Sequence, residues 1–464
     1  MDKREFLKTS GVLIGSNMLS RFASGFASGF AFGFAFGEGR AEPLAGPRTN
    51  WSGNYTYSTD VVDTPADVEE VRRLVAGRGL LKALGSRHSF DGIADTTGAQ
   101  VSLGLMKEMT LDRGARTVTV GAGVRYGELA PYLDRQGFAL HNLASLPHIT
   151  VAGACATGTH GSGVKNGNLS TEVRALEMVT ADGRIVTLSR ERDGERFRAA
   201  VIGLGALGIV TKVTLDVQPT FQMTQVVYEN LSFAVLERHL QEIFASGYSV
   251  SLFTEWQGHR ATQVWIKSRY DAKAPAVMKP EFFGAAAATR KLHPLAGHSA
   301  ENCTDQMGIP GPWYERMPHF RMNFTPSSGA ELQTEYFVPR ERGYEAILAV
   351  EELREVMTPH LFITELRAIA ADDLWMSMAY GRDSMALHFT WKPEWEAVKG
   401  ILPLIEAKLE PFGARPHWAK LFTMDPARIC SLYPKMAEFQ AEVKQYDSGG
   451  RFRNAFLERN VYAV

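Results

Sequence analysis

The sequence predicts an α+β protein of two domains. The chain has 464 residues, enough for two or three domains that each bury a core. Short strand-like runs alternate with amphipathic stretches along its length. The texture changes at Pro219: glycine turns and short strands precede it, and longer aromatic-rich runs separated by helices follow. The expected organisation is a leader over 1–45, a first domain over 50–218, a second over 219–425, and a segment over 426–464 that returns to the first domain.

The elements follow from local pattern. Thr64-Pro65 and Asp67 give an N-cap, a first-turn proline and a first-turn acid. Val68, Val71, Leu74 and Val75 form a helical stripe that Gly77 and Gly79 end. Residues 80–84 predict a buried strand, Thr117–Val120 another, and Gly127–Gln136 a helix. Two short strands over 173–188 flank Asp182-Gly183, a hairpin signal. In the second domain, strands are expected at 248–256, 262–268, 361–370, 385–391 and 417–423 on an antiparallel sheet. Helices are expected at 341–357, 393–410 and 434–445.

A formal charge of −1 removes any whole-chain electrostatic case for nucleic acid. Cys155, Cys303 and Cys430 form no CxxC pair, which argues against a zinc site and a disulfide framework. The N-terminus reads as an export leader: MDKREFLK precedes 12 uncharged residues, TSGVLIGSNMLS. Lys3-Arg4 with Phe6-Leu7 resembles a twin-arginine signal with lysine in the first place. The low-complexity run FASGFASGFAFGFAFG holds 16 uncharged residues, many of them glycine or serine. A spanning helix needs about 20 apolar residues, so a processed leader is expected and no stable membrane span in the mature protein. An exported, periplasmic location follows, or a cytoplasmic one if the signal does not function.

Three motifs bear on chemistry. GLGALG (203–208) matches the dinucleotide fingerprint, but IVTKVTLDV after it alternates as a strand instead of forming the required helix. A Rossmann site is therefore rejected. HITVAGACATGTHGSGVKNGN (148–168) lacks the lysine-serine/threonine ending of a P-loop. It predicts an irregular loop that offers backbone N–H groups and hydroxyls to a pyrophosphate. LKALGSRHSFDG (81–92) places His88 in a glycine-serine turn. Taken alone, such a histidine is ordinarily a surface or capping residue.

In the second domain, period two puts Glu365 and Arg367 on one strand face, His388 and Thr390 on another, and Lys420 beside Trp418 and Phe422. Gathered together, these groups would suit a polyhydroxylated substrate, because each hydroxyl needs a partner once water is excluded. Surface ion pairs on an exposed sheet face account for the same pattern equally well.

GSRHSF, GAGVRYGELAPYL, ASLPHITVAGACATGTHGSG and GLGALGIVT, in that order, resemble the FAD domain of the vanillyl-alcohol oxidase superfamily, a PCMH-type FAD-binding domain. NCTDQMGIPGPWYERMPHFRMNFTPSSGAELQTEY, ELRAIAADD, YGRDS, HFTW and RPHWAK are similar to the sugar-lactone and alditol oxidase group, with HFTW and ASLPHI on the alditol side. Ala419 stands where alditol oxidases tend to have glycine. The resemblance covers about residues 50–464.

The resemblance implies FAD, carried covalently by His88. It implies a cofactor site of Gly85, Ser86, Arg87, His88, Ser89, Ser145, Gly153, Thr157, Thr159, His160, Gly161, Ser162, Gly205, Gly208, Ile209 and Val210. No second cysteinyl link is matched, and Cys155 is expected to be packed. It further implies Lys420 and Arg367 as catalytic residues, with Ser145, Glu365, Arg367, His388 and Thr390 on the substrate. The implied reaction oxidises a primary alcohol of a polyol such as xylitol or sorbitol, with O2 reduced to H2O2. Oxidation of a gulono- or arabinono-lactone, a dehydrogenase with a quinone or cytochrome acceptor, and a non-catalytic polyol-binding flavoprotein stay open. Ala144, the small residue before the site serine, leaves oxidase and dehydrogenase undecided.

Overall fold

The computed structural model describes residues 48–273, 278–322 and 331–462; the expected leader lies outside them. The first domain is built on two main sheets, with a short antiparallel pair between Phe138–Ala139 and Gln218–Pro219 beside them. β1 (Val62–Asp63), β2 (Leu81–Leu84) and β3 (Ala99–Ser102) form a parallel sheet in the order β1-β3-β2. Helix α1 (Val68–Gly77) follows β1. Its cap is Asp67, whose side chain accepts from the Glu70 N–H at 2.8 Å, so the expected start at Thr64-Pro65 moves inward. An aspartate side chain satisfies an orphan N–H that Thr64 is too far away to reach.

β4 (Met109–Asp112), β5 (Thr117–Gly121), β6 (Val173–Val179), β7 (Ile185–Ser189) and β8 (Ile209–Asp216) make an antiparallel sheet in the order β4-β5-β8-β6-β7. α2 (Tyr126–Arg135) and α3 (Val151–Ala156) lie between β5 and β6. α3 corrects the expectation of a wholly irregular glycine loop. Its residues are small, so no amphipathic stripe announces it; burial of Val151, Ala154 and Cys155 holds it in place. Cys155 is packed as expected, with Sγ 3.7 Å from the Tyr126 hydroxyl. GLGALG runs into β8, and β8 alternates buried and half-buried residues along its length.

The second domain is built on an antiparallel sheet. Its central strands are β9 (Gln222–Ser232), β10 (Ser249–Thr254), β11 (Arg260–Arg269), β12 (Leu332–Pro339), β13 (Leu361–Ile369) and β14 (Ser384–Trp391). They run in the order β9-β11-β10-β13-β14-β12. Helices α4 (Phe233–Ala245), α5 (Gly343–Glu351) and α6 (Trp395–Leu409) cover one face. Their Leu236, Phe244, Ile347, Val350, Leu402 and Ile405 pack against Leu252, Val264, Leu366 and Leu387 of the sheet. Period two then turns Lys267, Ser251, Glu365, Arg367, His388 and Glu335 to the opposite face. That face meets the first domain: the Gly163 N–H donates to Ala368 O at 2.8 Å, and Ser162 Oγ donates to Val250 O.

The final segment lies on the first domain. The Leu81 N–H donates to Arg451 O at 2.9 Å, and Asn454 Nδ2 donates to the carbonyls of Gly92, Ile93 and Asp95. Buried Lys82 ties this segment to the GLGALG turn, donating to Leu204 O, Gly205 O and Phe452 O.

Candidate active site

Three adjacent strands place the chemistry in one row. His388 of β14 pairs across with Glu335 of β12 on one side and Glu365 of β13 on the other. Flanking rows are Gln333, Thr390 and Ile363, and Phe337, Ala386 and Arg367. Glu335, Glu365, Arg367 and His388 are 1%, 4%, 5% and 9% exposed. That burial excludes the surface-ion-pair reading of this face. Charges so buried persist only when partnered.

Glu335 is the hub of the pairing. Arg367 Nη2 donates to its Oε1 at 2.6 Å, Lys420 Nζ to its Oε2 at 2.7 Å, and His160 Nε2 lies 3.1 Å from Oε1. Burial alone would raise the Glu335 carboxyl, but Lys420, His160 and Arg367 override it and hold it well below the ordinary range. Burial acts on Glu365 in the same sense and is likewise overridden, by Arg367 and then His319. His319 Nε2 is 2.8 Å from Glu365 Oε1, and His388 Nε2 is 3.1 Å from Gln333 Oε1. Burial, then Lys420, pushes His388 well below the ordinary histidine range, so its ring is neutral. Arg367 Nη1 points at Ser145 Oγ, 3.5 Å away, while its Nε is buried without a hydrogen bond.

Lys420 is not on a strand. Residues 418–420 form a turn, closed by the Lys420 N–H on His417 O at 3.1 Å. The alternation of Trp418, Lys420 and Phe422 misled because Trp418 is drawn inward by burial and by its indole N–H on Met376 O. The turn sends Lys420 Nζ to Glu335. Burial lowers the ammonium's pKa and Arg367 adds to this, while Glu335 opposes both. His160, Glu335 and His417 offer ligand atoms within 4.8 Å of one another. Both Glu335 oxygens already accept from a basic side chain, Arg367 on Oε1 and Lys420 on Oε2, so a metal ion there would meet the Arg367 charge and displace these donors.

The His88 turn docks on this turn: the Phe90 N–H donates to Ala419 O at 2.8 Å. Trp51 stacks on the His88 ring at 4.5 Å and 15°. His88 Nε2 is buried with no hydrogen-bond partner. Burial, then Lys420, pulls the imidazole down to about 4, which leaves a neutral ring. Arg87 takes a left-handed φ of 63°. A methyl at Gly85 or at Gly153 would sit 2.8 Å from Thr150 Oγ1, so the Thr150 side chain would have to shift to admit it. Ser86 and Ser89 complete the turn, and Ser89 O accepts from Asn50 Nδ2 at 2.8 Å.

In the glycine loop, the Thr157 and Thr159 hydroxyls lie 3.2 Å apart. Gly161 packs against Asn142 and the Leu143 carbonyl. Among the residues expected on the cofactor, His160 turns its ring to Glu335 and Ser162 caps a strand of the second domain. Gly205 sits over Lys82, Gly208 abuts Val179 O, and Ile209 is wholly buried in the core; Val210 pairs with Met178. Thr390 is half-buried beside Gln333. Sequence reasoning missed Glu335, Gln333, His319, Lys267, His417 and Trp51. Alternation in LQTEYFVP would have put Gln333 and Glu335 on one face. Nothing local flags the others.

A family profile described as FAD binding domain matches residues 59–189, which include the His88 turn and the glycine loop. A profile described as D-arabinono-1,4-lactone oxidase matches residues 328–460, which include Glu335, Glu365, Arg367, His388 and Lys420. Alditol oxidase of a Streptomyces species is 47% identical over 414 residues, 88% of this chain and 97% of that protein. This chain belongs to the FAD-dependent alditol oxidase and sugar-lactone oxidase family. L-gulonolactone oxidase of Bos taurus is 29% identical over 438 residues, 89% of this chain and 98% of that one. L-gulono-1,4-lactone dehydrogenase of Mycobacterium tuberculosis is 29% identical over 440 residues, with the same coverage.

The residues present fit FAD. The buried His88 Nε2 has no hydrogen-bond partner, and its turn docks on the turn that carries Lys420. Among the described residues, no helix is long and apolar enough to cross a membrane.

Proposed function

We propose that this family member oxidises a terminal primary alcohol of an open-chain polyol to the aldehyde, with O2 as acceptor and H2O2 as the second product. The observation that carries the reading is the buried row of Glu335, His388 and Glu365, with Lys420 reaching its first carboxylate. An alditol presents several hydroxyls in line, and Glu365, His388, Thr390 and Ser145 offer acceptors and donors to them. Likeness over nearly the whole chain to a protein named alditol oxidase supports the same class.

When bound, FAD supplies the two-electron acceptor that takes hydride from the carbinol carbon and returns the electrons to O2. Lys420, with its ammonium pKa lowered, takes the hydroxyl proton as a neutral amine. Arg367 keeps a fixed positive charge in the site, held in direction by Glu335. His88 would hold the flavin through a covalent link; its neutral ring and unpartnered Nε2 offer a nitrogen lone pair for it. The leader directs export by a twin-arginine-like route to the periplasm, on the strength of Lys3-Arg4 and the uncharged run after it.

The test is anaerobic titration of the purified protein with xylitol and with sorbitol, following flavin absorbance, then admission of O2. Bleaching by polyol and rapid return of colour with peroxide supports the reading. Bleaching by gulono-lactone alone moves the substrate to lactones. Bleaching without rapid return makes the protein a dehydrogenase, and no bleaching at all leaves a binding protein.

A further inference from the structure

A second buried chain of polar groups stands behind Glu365, outside the residues assigned to the reaction. Lys267 of β11 is 1% exposed and His319 is 5% exposed. Lys267 Nζ donates to Met317 O, to Pro318 O at 3.2 Å and to His319 Nδ1 at 3.0 Å. His319 Nε2 meets Glu365 Oε1 at 2.8 Å. The ring is clamped edge-on by Phe253 and Trp265, 5.5 and 5.2 Å away. Its backbone N–H donates to Ser145 O at 3.1 Å.

The hydrogen count decides the tautomer. An ammonium has three donors and no lone pair. Its three neighbours here are two carbonyls and Nδ1, so Nδ1 must accept. The proton of the neutral ring then sits on Nε2 and faces the carboxylate. We propose that Lys267 and His319 are positioning residues: Lys267 locks His319 in the Nε2–H tautomer, and His319 thereby fixes Glu365 as the acceptor for substrate hydroxyls. This rests on the reading that Glu365 binds the polyol.

Electrostatics agree with the geometry. Burial, then Lys267, pulls His319 down to about 4, so the ring stays neutral. Burial pulls the Lys267 ammonium down to about 7. The charged or titratable groups facing it are Glu365 and Arg367 from β13, His319, and Cys303. Once Lys267 loses its proton, the amine gains a lone pair that can accept Nδ1–H. The ring proton then leaves Nε2, and a lone pair faces the Glu365 carboxylate. Polyol affinity should therefore fall as pH rises through the Lys267 titration.

The test is anaerobic stopped-flow reduction of the holoenzyme by xylitol, which separates Kd from the limiting reduction rate. Lys267→Met should raise Kd about tenfold, the worth of one hydrogen bond to a charged group. Its limiting rate and visible spectrum should stay close to wild type, and the rise of Kd above about pH 7 should vanish. His319→Gln, whose amide can still donate to Glu365, should bind xylitol more tightly than His319→Leu. Unchanged Kd and an unchanged pH profile in Lys267→Met would overturn the inference. Should Lys267→Met fail to fold, equal Kd in His319→Leu and wild type, with the wild-type pH profile kept in His319→Leu, overturns it instead. Glu365→Gln separates the two levels: if it binds xylitol as wild type does, the underlying reading of Glu365 fails; if it alone weakens binding, only the positioning inference fails.

Discussion

Glu335 Oε2 accepts from Lys420 Nζ at 2.7 Å, a pair 85 positions apart in sequence that joins a strand to a turn. The carboxylate is what keeps the Lys420 ammonium from falling further. Glu335→Gln removes that support, so the lysine loses its proton at lower pH. The pH midpoint of flavin reduction should therefore move down, read by stopped-flow across pH. A midpoint that moves up or stays fixed contradicts the pairing. Glu335→Ala, which strands Lys420 and leaves Arg367 with Glu365 alone, should cost about 3–5 kcal/mol of stability in denaturant titration.

Lys420→Met should leave flavin content unchanged and slow reduction by polyol about 10²–10⁴-fold, the range expected for loss of a general base. Reduction at the wild-type rate would remove Lys420 from the proton-transfer step.

His88→Ala tests covalent attachment. Wild-type protein precipitated with acid should keep its yellow colour in the pellet, and the variant should release it to the supernatant. Trp51→Ala, which removes the stacked ring, should slow attachment without abolishing it. Colour in both supernatants would mean a dissociable flavin.

Gly161→Ala probes the glycine loop. A methyl there would lie 2.4 Å from both Asn142 Oδ1 and Leu143 O, two residues before Ser145. Overpacking of this kind costs about 1–3 kcal/mol. Thermal melts should show that loss, together with weaker flavin retention. Gly137→Ala, with no neighbouring atom in the way but a φ of 84°, should destabilise without affecting flavin.

The strands of the second domain were legible because period two survives burial on both faces. Leu361–Ile369 and Ser384–Trp391 lie within one residue of expectation, and their alternation delivered Glu365, Arg367 and His388. β12 obeys the same period, yet its two carboxamide and carboxylate residues pass unnoticed beside the apolar ones. His319 and Lys267 lie beyond local reading, because their roles come from a loop crossing a sheet two strands away. The helix over 341–357 is broken in the structure into Gly343–Glu351 and Arg354–Met357, with no proline or glycine to announce the break. Lys420 was found by motif and its local structure was missed, since a buried tryptophan outweighs alternation.

The hydrogen bonds that join Leu81 of β2 to Arg451 and Asn454 to the Gly92–Asp95 turn have a meaning in biosynthesis. Phe452 is part of the same apolar cluster as Val71, Leu81 and Val101. A ribosome-bound chain carries His88 and the glycine loop early, but β2 stays open at one edge until residue 451 emerges. Deleting residues 447–462 should injure the first domain before it injures the sheet that carries Glu335, Glu365 and His388.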